Sequence, residues 1–598
     1  MPDGVVYRVR LARPQAHLFG VSLDITAPAP AGQIVSLPAW IPGSYMIRDF
    51  ARNIVSIAAH CGGASVKITK LDKQTWQCGA CDGPLSIEYE VYANDLSVRG
   101  AHFDTTRAFF NGTSVFLKVH GQEHTEHIVD LDAGDCTAWE VATTMPALDA
   151  QPWEFGTYRA GDYAELIDHP MEAGNFRRLD FSARGVPHTM VFTGQAVYEE
   201  SRLGAALTRI CEQHIDLFGT PPPMQRYLFL ALVLDGGYGG LEHRASSSLH
   251  VARDSLPLAD TDAHDTRYVE FLGLVSHEYF HAWNVKRIKP AAFVPFDLSR
   301  EIHTELLWAF EGITSYYDDL ALARCGLIDR REYLKLLAKV ITRVQRGAGR
   351  LRQSVAESSF DAWTKFYKQD ENAPNAIVSY YAKGSLVALA LDLTLRLSTA
   401  GRHSLDDLMR TLWQRYCDTG AGVGEDEIQQ IAEALAGESL SDFFALAVYG
   451  TQDLPLADLL ADFGVEMQWY AAQSNEDKGG VWCDEPQARY SLGLRLRDEQ
   501  GRCLITHVLD GGAAQAAGLS AGDELLSLHG VRITDDNFET RVQRLPRDQP
   551  ILATVFRRDE LLQLPVTVQR REDDTCALRV NANAGPAQRK RLDAWLPA

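Results

Sequence analysis

His277-Glu278-Tyr279-Phe280-His281 is the stretch of this 598-residue chain with the clearest chemical potential. Tyr268, Leu272, Val275 and Tyr279 recur at the spacing of one helix face, which predicts a helix through the segment. On that helix His277 and His281 lie one turn apart, and both imidazoles can reach one ion. Zn²⁺ suits two imidazoles and a carboxylate, with a fourth position left for water. Such an ion lowers the pKa of its water to about 7, and Glu278 is spaced to take the proton. The third ligand expected is Glu311, 30 residues beyond His281 in LLWAFEGITSYYDDL. Trp308, Ala309, Phe310 and Ile313 flank it, and a carboxylate in so apolar a stretch needs a compensating partner. One zinc ion per chain is the cofactor these residues imply.

The elements around this motif change character along the chain. Phe19, Val21, Leu23 and Ile25 alternate at period two, as do Leu85, Ile87, Tyr89 and Val91, so the first part reads as antiparallel β structure. Within it, Pro38–Ile54 (PAWIPGSYMIRDFARNI) reads either as a surface loop that contacts a neighbour or as a long connection between strands. From about Ser201 the strand-like runs RYLFLALVL and SSSLHVA lead into helical segments: the HEYFH helix, LLWAFEGITSYYDDLALARCG, REYLKLLAKVITRVQR, KGSLVALALDLTLRL and SLDDLMRTLWQRY. Asn475–Glu485 (NEDKGGVWCDE) reads as a linker, residues 487–569 return to strands, and PAQRKRLDAWLPA ends the chain as an amphipathic tail.

HEYFHAWNVKRIKP followed by the WAFEG helix resembles the gluzincin metallopeptidases, and more narrowly the glycyl aminopeptidase family. That resemblance spans essentially the whole chain. It implies a multidomain α+β protein with four segments: an antiparallel β domain over 1–170, a mainly helical, zincin-like (thermolysin-like) catalytic domain over 171–474, a PDZ domain over 487–572 and a tail over 573–598. For His277, His281 and Glu311 it implies zinc ligation, and for Glu278 the role of general base. GGYGGLEH looks like the Gly-rich strand of related aminopeptidases, where a backbone edge aligns the substrate and a glutamate receives its free amine. Those roles map to Gly239, Gly240 and Glu242. SYYAKGSL resembles the segment whose tyrosine stabilises the oxyanion, here Tyr381 with Tyr380 as the competitor. SLGLRL and GGAAQAAGLSAGDELLSLHGVRI resemble a PDZ domain, with Leu492, Gly493 and Leu494 as the loop that would hold a peptide C-terminus.

The function expected is a zinc aminopeptidase that removes N-terminal residues, preferably Gly or Ala, from peptides with a free N-terminus. A zinc endopeptidase, or a PDZ-based scaffold with a vestigial peptidase site, are the alternatives. Net charge is −21, which argues against a nucleic-acid partner. Apolar runs such as Leu228 to Leu234 are too short to span a membrane. The N-terminus carries no apolar export signal, and ten scattered cysteines suit a reducing compartment. A cytoplasmic location is therefore expected.

Overall fold

A computed structural model describes residues 4–597, so residues 1–3 of the expected N-terminal segment and residue 598 of the tail lie outside the described residues. The chain forms two compact units. One reaches to Ile302 and takes in Leu412–Val423; the other comprises His303–Thr411 and the chain from Gly424 onward.

The first unit opens with β structure. Phe19, Val21, Leu23 and Ile25 are the buried alternates of the strand Leu18–Ile25, and Leu85, Ile87, Tyr89 and Val91 those of Leu85–Tyr92. The two strands pair antiparallel inside a seven-stranded sheet, and both feed one apolar core. Not every pair is antiparallel: Val5–Arg13 runs parallel to His127–Asp132. Pro38–Ile54 is not a surface loop. Trp40, Ile41, Ser44 and Tyr45 are all buried, the Trp40 indole N–H donates to the carbonyls of Asp297 and Arg300, and the Tyr45 ring stacks on Phe293. Its aromatics are core residues, and that is why so many sit in one connection.

A second sheet of this unit has five strands in the order Phe176–Ala183, Val186–Thr193, Tyr227–Leu234, Ser246–Ala252, Tyr238–Glu242. The interior strand Tyr227–Leu234 is buried along nearly its full length, matching its unbroken apolar sequence. The helices Glu200–Phe218 and Thr266–Phe280 pack together with this sheet, joined by a 2.8 Å bond between His214 Nε2 and the Ser276 hydroxyl.

In the second unit the helices Ile313–Arg324, Arg330–Gln345 and Ala382–Ser398 form the body. Ala382–Ser398 is buried almost all round, consistent with its near-continuous apolar sequence. Strands Leu494–Glu499, Arg502–Val508, Glu524–Leu528, Ile551–Arg557 and Glu560–Val566 make a PDZ sheet with its own core. The chain is thus a multidomain α+β protein, and among the described residues no helix is long and apolar enough to cross a membrane.

Two segments do more than their composition suggests. Asn475–Glu485 is not a loose linker: Gly479 packs against Thr342 and Gly480 against the Lys335 carbonyl, so side chains at either position would collide with the helix beneath. The tail is structural. Thr575–Val580 pairs with Val465–Tyr470, and the helix Pro586–Trp595 inserts Trp595, which is 0% exposed. The Trp595 indole donates to the Tyr316 hydroxyl at 2.9 Å, Tyr316 donates to Asp392 at 2.6 Å, and Arg396 closes the network on Asp392 at 3.0 Å. Arg330 donates twice to the Leu596 carbonyl.

Replacing a fully buried tryptophan with alanine costs about 3–5 kcal/mol. Trp595→Ala should therefore lower the guanidinium midpoint of the helical unit, and ending the chain at Gln487 should do so more severely. Excision of 488–572 alone, keeping the strand Thr575–Val580 and the tail helix, should be better tolerated than that truncation. Equal midpoints for the two deletions would show that the tail does not brace the helices.

Candidate active site

Asp265 caps the helix Thr266–Phe280 by accepting from the backbone N–H groups of Arg267 and Tyr268. The helix is also fixed in rotation. Besides the His214–Ser276 bond, His188 Nε2 meets the Tyr279 hydroxyl at 2.9 Å. That rotation decides where residues 277, 278 and 281 point. His281 continues the helical conformation at its C-terminal end. Its Nδ1 lies 2.7 Å from the Asn284 carbonyl, which places the ring proton there and turns the Nε2 lone pair toward His277.

The two Nε2 atoms are 3.1 Å apart. Ligand nitrogens about 2.0–2.1 Å from a tetrahedral zinc ion would be separated by about 3.3 Å, so the pair is near ligand spacing. One ligand atom from each of His277, His281 and Glu311 lies within 4.8 Å of the others, and this is the one such trio among the described residues. Two imidazoles and a carboxylate that close together form the donor set that zinc takes in open catalytic sites.

Glu311 stands in one π-helical turn, Trp308–Gly312, that runs into the helix Ile313–Arg324. The expected continuous α-helix is locally widened at its functional residue, as π turns often are. The neighbouring Gly312 meets Gly384. A Cβ on Gly312 would come 2.5 Å from the Gly384 carbonyl carbon, and one on Gly384 would come 3.1 Å from the Gly312 Cα. The two helices therefore touch backbone to backbone. Since Ala382–Ser398 begins directly after Tyr381, this contact holds Tyr381 near Glu311. Burial, and then the Glu311 charge, raise the Tyr381 phenol well above its ordinary pKa, which keeps it a neutral donor. Its hydroxyl lies 3.3 Å from that of Tyr367. Tyr380 is fully buried against Phe366.

Within GGYGGLEH, Tyr238–Glu242 forms a strand. It is the outermost strand of the five-stranded sheet, antiparallel to Ser246–Ala252, and no strand pairs with its other side among the described residues. Gly239 has open space where a Cβ would stand. At Gly240 a Cβ would overlap the Glu278 carboxylate, so the strand backbone packs directly on that side chain. Gly43, at φ +96°, does the same to the carboxylate of Glu242. Arg99 Nη2 donates to the Gly240 carbonyl at 3.1 Å. Glu242 and Glu278 are 4% and 5% exposed. Burial pushes the Glu278 carboxyl up to about 7 against the pull of His277, and the Glu242 charge adds to the rise.

Arg99, Gly43, Gly312 and Gly384 were not legible as site residues. Arg99 belongs to no motif, and the three glycines look like any others until their backbone neighbours are known. In the PDZ sheet, Leu492 and Leu494 are buried in the core, and the Gly493 N–H donates to the Ser491 hydroxyl at 2.9 Å. Strand Leu494–Glu499 is the sheet's edge, with the helix Asp535–Val542 packed beside it.

Comparison with known proteins defines the class. Residues 6–175 match the peptidase M61 N-terminal domain, 270–387 the M61 glycyl aminopeptidase and 482–546 the PDZ domain. A crystal structure described as an aminopeptidase N family protein from Idiomarina loihiensis is 40% identical, covers 99% of this chain and 100% of its own, and superposes with a TM-score of 0.94. An M1 zinc metallopeptidase from Deinococcus radiodurans is 13% identical over 76% of this chain and 95% of its own, with a TM-score of 0.48. Among curated proteins nothing matches. Fold and matches together make this a metallopeptidase with an appended PDZ domain. The chain belongs to the M61 glycyl aminopeptidase family.

A displacement of about 1 Å at a reacting group can cost about 10²-fold in rate. Gly240→Ala should therefore lower kcat on peptides by about that factor while metal content and melting temperature stay near wild type. Wild-type turnover in this variant would show that the Gly240–Glu278 contact is incidental.

Proposed function

We propose that the chain is a zinc aminopeptidase that removes N-terminal residues, preferably Gly or Ala, from peptides. The observation that carries this reading is a buried glutamate, Glu242, at the end of an edge strand that packs on Glu278, beside the histidine pair. His277, His281 and Glu311 would hold one zinc ion per chain. When bound, that ion supplies an acidified water at neutral pH and polarises the scissile carbonyl.

Glu278 takes the proton of the attacking water and delivers it to the leaving amine. Tyr381 donates a hydrogen bond to the developing oxyanion; its place beside Glu311, with Tyr380 sealed in the core, supports that choice over its neighbour. Gly239 and Gly240 align the substrate backbone by strand addition, and Glu242 receives the ammonium. That ion pair sets the cut one residue from the end, which separates this reading from an endopeptidase. The preference for Gly or Ala rests on the family. In the PDZ domain, Leu492, Gly493 and Leu494 would receive a peptide C-terminus beside the edge strand. A cytoplasmic location, and the segment boundaries at 170, 474, 487 and 572, belong to the same proposal.

Glu278→Gln should retain zinc and lose about 10²–10⁴-fold in kcat, the usual worth of a general base. Near-normal turnover would remove Glu278 from the mechanism. Tyr381→Phe should depress kcat more than it raises KM, because its bond forms mainly in the transition state. The same damage in Tyr380→Phe alone would reverse the assignment.

The deciding experiment pairs Gly- or Ala-led peptides with their N-acetylated forms, alongside Phe-led peptides. Acetylation should abolish cleavage, since it removes the ammonium that Glu242 would receive. Equal cleavage of both forms would favour the endopeptidase, and faster cleavage of Phe-led peptides would overturn the small-residue preference.

A further inference from the structure

The first unit contains a cavity of about 1160 Å³ that none of His277, Glu278, His281, Glu242, Glu311 or Tyr381 lines. One part of its wall is apolar, with Leu37, Ile41, Phe293, Phe296 and Leu298, and another carries Asp168, His243, Arg244, Lys286 and Lys289. Asp168 is the anion at the centre of that cluster. Lys286 Nζ lies 2.7 Å from it, the Arg244 backbone N–H donates to it at 2.8 Å, and His243 Nδ1 lies 3.6 Å away. Burial works to raise the Asp168 carboxyl, yet Lys286, His243 and Arg244 hold it well below its ordinary range. Burial lowers the His243 pKa against the pull of Asp168. One carboxylate therefore answers Lys286 and the half-exposed Arg244.

Lys289 has no carboxylate at ion-pair distance among the described residues. Its ammonium stands 4.8 Å over the Phe296 ring, and Phe293 lies against Phe296 with ring centroids 5.4 Å apart. Burial, and then repulsion from Arg244 and Lys286, bring the amine down to about 7. A cation on an aromatic wall beside two further cations is a recognition arrangement for an anion with an apolar body.

We propose that this cavity binds a small organic monoanion, a carboxylate on an apolar body, with the carboxylate on Lys289 and the body against Phe296 and Leu298. A single charge fits because one amine lacks a counter-ion. A second negative charge would face Asp162, Glu123 and Asp297, which line the same cavity. This site is separate from the proposed chemistry and does not depend on it.

The test is calorimetric titration of the full-length protein with 3-phenylpropionate, its neutral amide and inorganic phosphate. Each is run on zinc-loaded and on chelated protein. The carboxylate should bind both forms, and Lys289→Met should weaken it by at least about tenfold, or about 1.4 kcal/mol. Lys289→Arg should stay within about threefold of wild type. The amide and phosphate should bind more weakly than the carboxylate. Binding that vanishes on chelation and ignores Lys289 would place the probe on the metal and overturn the proposal. So would equal affinity for amide and carboxylate, tighter binding of phosphate, or no binding of the carboxylate at ~10 mM.

Discussion

Buried negative charge is the constraint around which this protein is organised. Glu242, Glu278 and Glu311 are each 5% exposed or less, and Glu242 acts on Glu278 as a like charge. A carboxylate held away from water costs several kcal/mol unless something positive answers it. His277, His281 and Arg99 pull the Glu278 carboxyl down, but burial outweighs them. On the proposed reading two further cations come to this site: a divalent ion held by the histidines and Glu311, and a substrate ammonium on Glu242.

Close backbone approach is the means by which these groups are brought near one another. Gly240 lets a strand edge lie on Glu278, Gly43 lets a loop lie on Glu242, and Gly312 with Gly384 lets two helices meet without side chains between them. At each of these places a methyl group would fall on backbone or on a carboxylate. The Gly residues of the WAFEG and YAKG stretches are therefore partners in one contact, and that contact carries Tyr381 to Glu311. Glycine's lack of a Cβ matters here as space, separately from its conformational freedom.

The C-terminal region joins two roles that look distinct in the chain. The PDZ sheet has its own core, while the segments before and after it pair with each other as Val465–Tyr470 and Thr575–Val580. The PDZ domain is thus inserted between two strands of one ladder, and the chain returns to the helices through Trp595, Tyr316 and Asp392. Polar contacts also tie the PDZ domain to the helical body: Asn375 bonds the Val508 carbonyl and the Asp510 N–H, and Arg352 pairs with Asp510. Asn375 lies six residues before Tyr381.

Local patterns in the sequence determined a good deal. Period-two alternation marked the strands of Leu18–Ile25 and Leu85–Tyr92, and helical spacing placed His277 and His281 on one face, whereas the PDZ stretch was identified by its resemblance to that domain. These are short-range properties, set by a few neighbouring residues. What only the tertiary structure decided are the meetings of distant residues. They include Gly43 on Glu242, Arg99 on the Gly240 carbonyl, Gly312 against Gly384, and Lys289 over the Phe296 ring. The aromatic Pro38–Ile54 stretch allowed two readings because an aromatic side chain is equally at home in a core or at an interface. Its burial under Phe293 follows from packing between segments some 250 residues apart, and no local pattern encodes a contact at that separation.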